Sequence, residues 1–125
     1  MTAEPRIVGH EHWTRKGDVR LFLWEKRAGA TEGPLGTILF VHGSSMASQP
    51  TFDLHVPGRA DSSAMDHFVR LGYDAWCVDM EGYGRSDKHR DINSGIATGA
   101  DDLEAATDYI LHSFLSQPAP VYRGA

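Results

Sequence analysis

The sequence contains a single cysteine, Cys77, and this excludes a framework of intrachain disulfides. Cys77 lies in an apolar run, so we expect a small buried side chain rather than a reactive thiol. No apolar run approaches the roughly 20 residues that a membrane-spanning helix needs. The N-terminus also lacks the basic and then apolar pattern of a signal peptide. We therefore expect a cytoplasmic protein with no membrane partner.

Positive charge is also scarce in this chain. Twelve Lys and Arg residues stand against 17 Asp and Glu residues, which gives a formal net charge of −5. The basic residues are scattered and form no patch, so nothing favours a nucleic-acid partner. The length of 125 residues and the 41% hydrophobic content suit one globular domain, which we place at residues 1–125.

The hydrophobic pattern predicts strands that alternate with helices. The predicted elements are a β-hairpin at about 10–27, a buried strand and turn at 37–45, a helix at about 61–71, a strand at 73–80 and a helix at about 99–115. The unbroken run Thr37–Val41 is typical of a strand buried on both faces. Residues 44–58 carry two prolines and are predicted to form a loop. This order predicts an α/β fold with a partial doubly wound, mostly parallel sheet and an N-terminal hairpin.

Two loops follow predicted strands at the edge where such sheets bind ligands. His42-Gly43-Ser44-Ser45 follows the first strand, and Asp79-x-x-Gly82-x-Gly84-x-Ser86 follows the second. In the second loop the glycines allow tight bends, and Asp79, Ser86 and Asp87 can accept hydrogen bonds from freed N–H groups. The two motifs together resemble the N-terminal half of the α/β-hydrolase fold family, of the serine hydrolase type, from about Glu11 to Phe114.

The resemblance implies a role for the first turn. The backbone N–H of Ser44, with that of Ser45 second, would form part of an oxyanion hole, the donor pair that stabilises a tetrahedral intermediate. Gly43 would permit the sharp turn. His42 would order the loop by hydrogen bonding and would not be the catalytic base. The alternative for His42 and Gly43 is a tight bend with no further role.

One family motif is missing from the sequence. A nucleophile elbow, Gly-x-Ser-x-Gly, occurs nowhere in the 125 residues. We therefore expect the front portion of a hydrolase for small ester or related acyl substrates, without its nucleophile, triad acid or triad histidine. Such a chain is predicted to be inactive alone and to need no cofactor. A natural short gene product, a premature stop or frameshift, and a deliberately shortened chain fit this expectation equally well.

Other candidate residues have weaker support. Asp53 and His55 lie in the long loop near the expected crevice and are candidates for substrate contact. His10 and His12 share a strand face but have no third ligand at a suggestive spacing, so no metal site is predicted. A non-catalytic alternative also stands, in which the open sheet edge mediates self-association or partner pairing. A nucleotide-binding module is disfavoured because its phosphate-binding motifs are absent.

Overall fold

A computed structural model describes residues 6–29, 34–43, 47–59, 62–88 and 96–115, and in the last range it describes the side chains of residues 98–113. The strands are β1 (Ile7–Lys16), β2 (Val19–Ala28), β3 (Thr37–Val41) and β4 (Asp74–Val78). The helices are α1 (Ser48–Phe52), α2 (Ala64–Arg70) and α3 (Ile96–Leu115). None of these helices combines the length and the hydropathy that crossing a membrane requires.

The four strands form one mixed sheet in the order β1-β2-β4-β3. β1 and β2 form the predicted antiparallel hairpin, and Gly17 adopts a φ of 59° in its turn. β2 pairs antiparallel with β4, and β3 pairs parallel with β4. The parallel pair is joined by a segment containing α1 and α2, as expected for a crossover connection. The predicted α/β class with an N-terminal hairpin is therefore confirmed.

Helices cover both faces of this sheet. On one face, α3 packs against alternate residues of β2 and β4, and on the other face α2 packs against the intervening residues of β4. The buried core residues are Val19, Leu21, Leu23, Trp76, Val78, Ala106 and Ile110 on the α3 side, and Met65, Val69, Ala75 and Cys77 on the α2 side. Burial raises the pKa of the Cys77 thiol, which agrees with an inert side chain.

Two local expectations were wrong. β3 is half-buried, with Thr37 and Val41 exposed, because within the described residues it pairs only with β4 and forms the sheet edge. The expected loop at 44–58 contains the short helix α1, whose Phe52 ring packs 5.1 Å from the ring of Phe40. Pro50 is tolerated there because the N–H groups of a first helical turn have no intrahelical partner.

Candidate functional site

The parallel pairing of β3 and β4 brings two turns together. Val41 and Val78 are register partners at the last position of each strand, so the chain leaves both strands at the same edge of the sheet. His42 and Gly43 follow β3, and the loop that begins at Asp79 follows β4. Ser44 and Ser45 lie outside the described residues, so their proposed backbone donors stay a prediction.

His42 connects the two turns. Its ring is buried, and Nε2 accepts a hydrogen bond from the backbone N–H of Met80 at 3.0 Å. The other ring nitrogen, Nδ1, lies 2.5 Å from the carbonyl oxygen of Gly43 and therefore carries the proton and donates it. The ring also packs against Tyr83, with centroids 4.8 Å apart. Both nitrogens are engaged, which agrees with an ordering role and leaves neither nitrogen free for general-base chemistry.

Ser48, which follows the turn after β3, is also bonded to residues where the chain leaves β4. The Asp79 carboxylate accepts hydrogen bonds from the backbone N–H of Ser48 at 2.9 Å and from that of Arg85 at 3.0 Å. The Ser48 hydroxyl donates to the carbonyl of Val78 at 2.5 Å. The segment between His42 and Ser48 is thus held at both ends by residues at the exit of β4. Sequence reasoning missed Ser48, because its partners lie about thirty residues away and no spacing rule connects them.

The glycines and side chains of the second loop behave as their pattern predicts. Gly82 and Gly84 have positive φ angles of 90° and 52°. A Cβ atom at Gly84 would overlap the Asp79 carboxylate and approach the Cβ of Ala47 to 2.8 Å. Only glycine therefore fits beside this carboxylate. The two remaining predicted acceptors also bind backbone N–H groups, but these groups belong to β2 rather than to the loop itself. Ser86 Oγ accepts from the N–H of Phe22 at 2.8 Å, and Asp87 accepts from that of Arg20 at 2.8 Å.

Comparisons with solved structures identify this architecture. Over 83% of its length, the chain superposes on 28% of an epoxide hydrolase from Vigna radiata, with 23% identity and a TM-score of 0.58. A bacterial membrane phospholipase A matches 82% of this chain over 28% of its own, with 19% identity and a TM-score of 0.55. The haloalkane dehalogenase of Bradyrhizobium elkani matches 84% of this chain over 30% of its own length, with 22% identity and a TM-score of 0.53. The chain has the α/β-hydrolase fold.

The match concerns the N-terminal part of the α/β-hydrolase fold. The chain spans less than a third of the length of these three hydrolases. No protein-family profile matches the sequence, and no curated protein is significantly similar to it.

A buried cluster of charged side chains holds the loop that follows β4. The ammonium of Lys16 lies 2.8 Å from the carboxylate of Glu81 and 2.5 Å from that of Asp102. Asp102 also accepts the backbone N–H of Glu81 at 3.0 Å. Burial by itself would lower the pKa of Lys16, but its hydrogen bonds to Asp102 and Glu81 outweigh burial and raise the pKa. The cluster ties the loop to the hairpin and to α3, and sequence reasoning missed it.

Asp53 and His55, the predicted substrate contacts, belong to a different network. Asp53 accepts hydrogen bonds from Trp24 Nε1 at 2.9 Å, Lys26 Nζ at 2.8 Å and Ser63 Oγ at 2.6 Å. His55 Nε2 lies 3.0 Å from the same carboxylate. Burial by itself would raise the pKa of Asp53, but the hydrogen bonds from Lys26, Ser63 and Trp24 outweigh burial and lower the pKa.

This network also contains the one group of potential metal ligands found among the described residues. The ligand atoms of Asp53, His55 and Asp66 lie within 4.8 Å of one another. The ammonium of Lys26 contacts all three, at 2.8 Å, 3.1 Å and 2.7 Å, so it already supplies the cation. Lys26 pairs with Ala75, near the start of β4 and away from the turns. The geometry favours a structural role, and substrate contact by Asp53 and His55 stays a prediction.

Proposed function

We propose that the chain provides the oxyanion-hole portion of an α/β-hydrolase that acts on ester or related acyl substrates. The observation that carries the proposal is the double attachment of the turn after β3. His42 fixes its first residues to Met80, and Asp79 fixes its return at Ser48. The serine nucleophile would come from outside these 125 residues, since they contain no nucleophile elbow.

The chemistry follows from where negative charge develops. Attack on an acyl carbon moves charge onto the carbonyl oxygen, and N–H groups aimed at that oxygen stabilise the transition state. One well-placed donor contributes roughly 3 kcal/mol to the lowering of the barrier. The backbone N–H of Ser44, followed by that of Ser45, would serve as these donors. The two attachments hold the residues that flank these donors, and preorganised donors are the condition for a strong effect.

The substrate class rests on the form of the second loop rather than on the fold. The structural neighbours are named for phospholipid, epoxide and haloalkane substrates, so the fold alone selects none of these. The sequence Asp79-Met-Glu-Gly-Tyr-Gly-Arg-Ser86 resembles the serine-hydrolase members of the family. Ester or acyl substrates are the class that this resemblance supports.

Binding of an oxyanion mimic tests the proposal without requiring turnover. A p-nitrophenyl methylphosphonate monoester is titrated into the ¹⁵N-labelled chain, and the backbone amide shifts of Ser44 and Ser45 are followed. Both amides should shift in the wild type and in Ser44→Ala and Ser45→Ala, which retain the N–H. Ser44→Pro removes the N–H and should weaken binding. Binding lost in the alanine variants would assign the hydroxyls instead and overturn the proposal.

Hydrolysis of a p-nitrophenyl ester gives the complementary measurement. The purified chain alone should release no nitrophenolate above the buffer rate, because activation of a nucleophile needs serine, base and orienting acid within hydrogen-bond reach. Turnover that follows the protein through purification and survives both serine-to-alanine substitutions would contradict the absence of a nucleophile.

A binding or assembly module is the second candidate, and the sheet edge is the observation that favours it. β3 contains no charged residue, and within the described part of the chain its outer side has no strand partner. Such an edge favours pairing with another strand. Light scattering should then show a dimer or larger species. Val41→Lys should disperse it, whereas Leu111→Lys, a matched change at another exposed apolar residue, should not. A monomeric wild type rejects this candidate.

A further inference from the structure

Two buried acidic side chains lie on the same face of the sheet, on the neighbouring strands β2 and β4. Glu25 on β2 and Asp74 on β4 are 3% and 4% exposed. Glu25 is the register partner of Trp76, and Asp74 lies two residues before Trp76, so all three side chains share the α3 face of the sheet. The guanidinium Nε of Arg27 lies 4.0 Å from the Glu25 carboxylate.

A chain of hydrogen bonds runs from α3 to this acidic pair. The hydroxyl of Tyr109 lies 2.8 Å from His12 Nδ1, and His12 Nε2 lies 2.9 Å from the Glu25 carboxylate. Because an ionised carboxylate only accepts, Nε2 carries the proton, and in the neutral imidazole Nδ1 accepts from Tyr109. The His12 ring also packs against Trp76, with centroids 4.5 Å apart. Tyr109 on α3 is thereby linked to both strands of the hairpin.

Asp74 can extend this series of hydrogen bonds only if its carboxyl group carries a proton. Its Oδ2 accepts from Trp76 Nε1 at 3.1 Å, but its Oδ1 is buried and meets no donor among the described residues. A buried carboxylate with a single donor is costly, whereas a protonated one can donate to Glu25. Burial, together with the neighbouring Glu25, raises the pKa of Asp74 to about 8.

Glu25 is the charged partner of this pair. Burial by itself would raise the pKa of Glu25, but hydrogen bonds from His12 and Asp74 outweigh burial and lower the pKa. Burial and the Glu25 charge raise the pKa of Tyr109, so its phenol remains a donor. The titratable and charged groups around the pair are His10 and His12 on β1, Glu25 and Arg27 on β2, Asp74 on β4 and Tyr109 on α3.

We propose that this cluster is a proton-dependent latch, in which one proton shared by Asp74 and Glu25 keeps Tyr109, and with it α3, fastened to the sheet. Loss of that proton leaves two carboxylates facing each other in a buried site. Withdrawal of Glu25 relieves the repulsion and breaks its bond to His12. The imidazole then loses the partner that orients it towards Tyr109. Release of α3 uncovers the apolar face that contains Leu21, Leu23 and Trp76.

The sign of the pH effect follows from linkage. Asp74 holds its proton more tightly with the latch closed, so opening releases a proton and becomes easier as the pH rises. The opening constant should increase by up to roughly tenfold per pH unit below the midpoint and level off above it. The midpoint should lie at a pH of about 8, where Asp74 loses its proton in the closed state.

Nuclear magnetic resonance of the full 125-residue chain between about pH 3 and pH 10 tests the latch. The indole N–H signal of Trp76, assigned with Trp76→Phe, should titrate together with the Asp74 side-chain ¹³C signal. Hydrogen exchange in α3, corrected for its intrinsic pH dependence, should accelerate over the same range. Trp13 and Trp24 serve as internal controls because neither indole N–H bonds to the pair.

Variants separate the latch from general alkaline instability. In Asp74→Asn the amide can donate to Glu25 and accept from Trp76 without titrating, so α3 exchange should become independent of pH. Asp101→Asn, an exposed acid on the same helix, should behave as the wild type. If Asp74→Asn fails to fold, the titration midpoint of the Asp74 side-chain ¹³C signal in the wild type alone tests the proposal. A titration with a midpoint below about pH 5, or equal pH dependence in a folded Asp74→Asn, would overturn the proposal.

Discussion

Met80 donates its backbone N–H to Nε2 of His42 across 3.0 Å, although 38 positions separate the two residues in the chain. The bond joins the residue that follows β3 to the loop that follows β4, at the edge where both strands end. It also sets the tautomer of His42, because a ring nitrogen that accepts from an N–H carries no proton. The turn after β3 is therefore oriented by a group outside its own local sequence.

Removing this ring should destabilise the chain measurably. His42→Ala leaves a backbone N–H without its acceptor and removes the ring from Tyr83. We expect a loss of about 2 kcal/mol in the free energy of unfolding, which is the usual cost of a stranded buried donor. Urea denaturation followed by circular dichroism measures it. His112→Ala is the matched control, since among the described residues that ring bonds to a carbonyl of its own helix, and it should change stability by less than about 0.5 kcal/mol.

Two glycines in the second loop provide a matched pair. Gly82→Ala places a Cβ in open space, so its cost is that of a positive φ alone, about 1 kcal/mol. Gly84→Ala also meets a positive φ, of 52°, and its Cβ in addition collides with the Asp79 carboxylate and Ala47. We expect an additional loss of about 2 kcal/mol from this overpacking. Thermal or urea unfolding compares the two variants, and equal stability would show that Asp79 yields freely and does not clamp Ser48.

The sequence predicts those features that depend on short-range chemistry. The pattern of glycines and small polar residues from Asp79 to Ser86 predicted both the bends and the backbone acceptors that the structure contains. The hydrophobic pattern also predicted the hairpin that β1 and β2 form. The bends, the Asp79 acceptor and the hairpin are decided by neighbours a few positions away, so a local pattern predicts them, whereas the N–H that reaches Ser86 comes from Phe22, 64 positions away.

Features that depend on distant partners were not predictable in this way. Tyr109 and His12 are 97 positions apart, and no periodicity connects them. The short helix α1 was missed because prolines normally disrupt helices, and only the position of Pro50 in the first turn makes it compatible. The hydrophobic run of β3 predicted full burial, yet burial of a strand also requires a neighbour on each side, which its own residues cannot specify.

Asp53 should contribute to resistance against acid. The pKa of Asp53 is lowered on folding, so its stabilising contribution is present above the unfolded pKa, near 3.8, and is lost as the pH falls through the folded pKa. Asp53→Asn should lower stability at neutral pH by about 2 kcal/mol, because three hydrogen bonds to a charged group are weakened. The variant should also lose less stability than the wild type as the pH falls. Asp108→Asn, at an exposed helical position, should retain the wild-type acid response.

Lys26 provides a final test, because its ammonium separates two carboxylates. Lys26→Met preserves much of the side-chain volume but leaves Asp53 and Asp66 without the cation that lies 2.8 Å and 2.7 Å from them. We expect a loss of about 3 kcal/mol at neutral pH, the typical cost of an uncompensated buried charge. The unscreened carboxylates then bind protons more tightly in the folded state, so mild acid should recover part of the loss.

A double-mutant cycle distinguishes this coupling from a simple loss of packing. Adding Asp53→Asn to Lys26→Met removes one of the stranded charges, so the double variant should be less destabilised than the sum of the single variants. Arg70→Met, a loss of positive charge at an exposed position of α2, controls for the change in net charge and should be nearly neutral. Strict additivity of the two substitutions, with no recovery in mild acid, would mean that Lys26 contributes through its aliphatic stem rather than as the cation of this network.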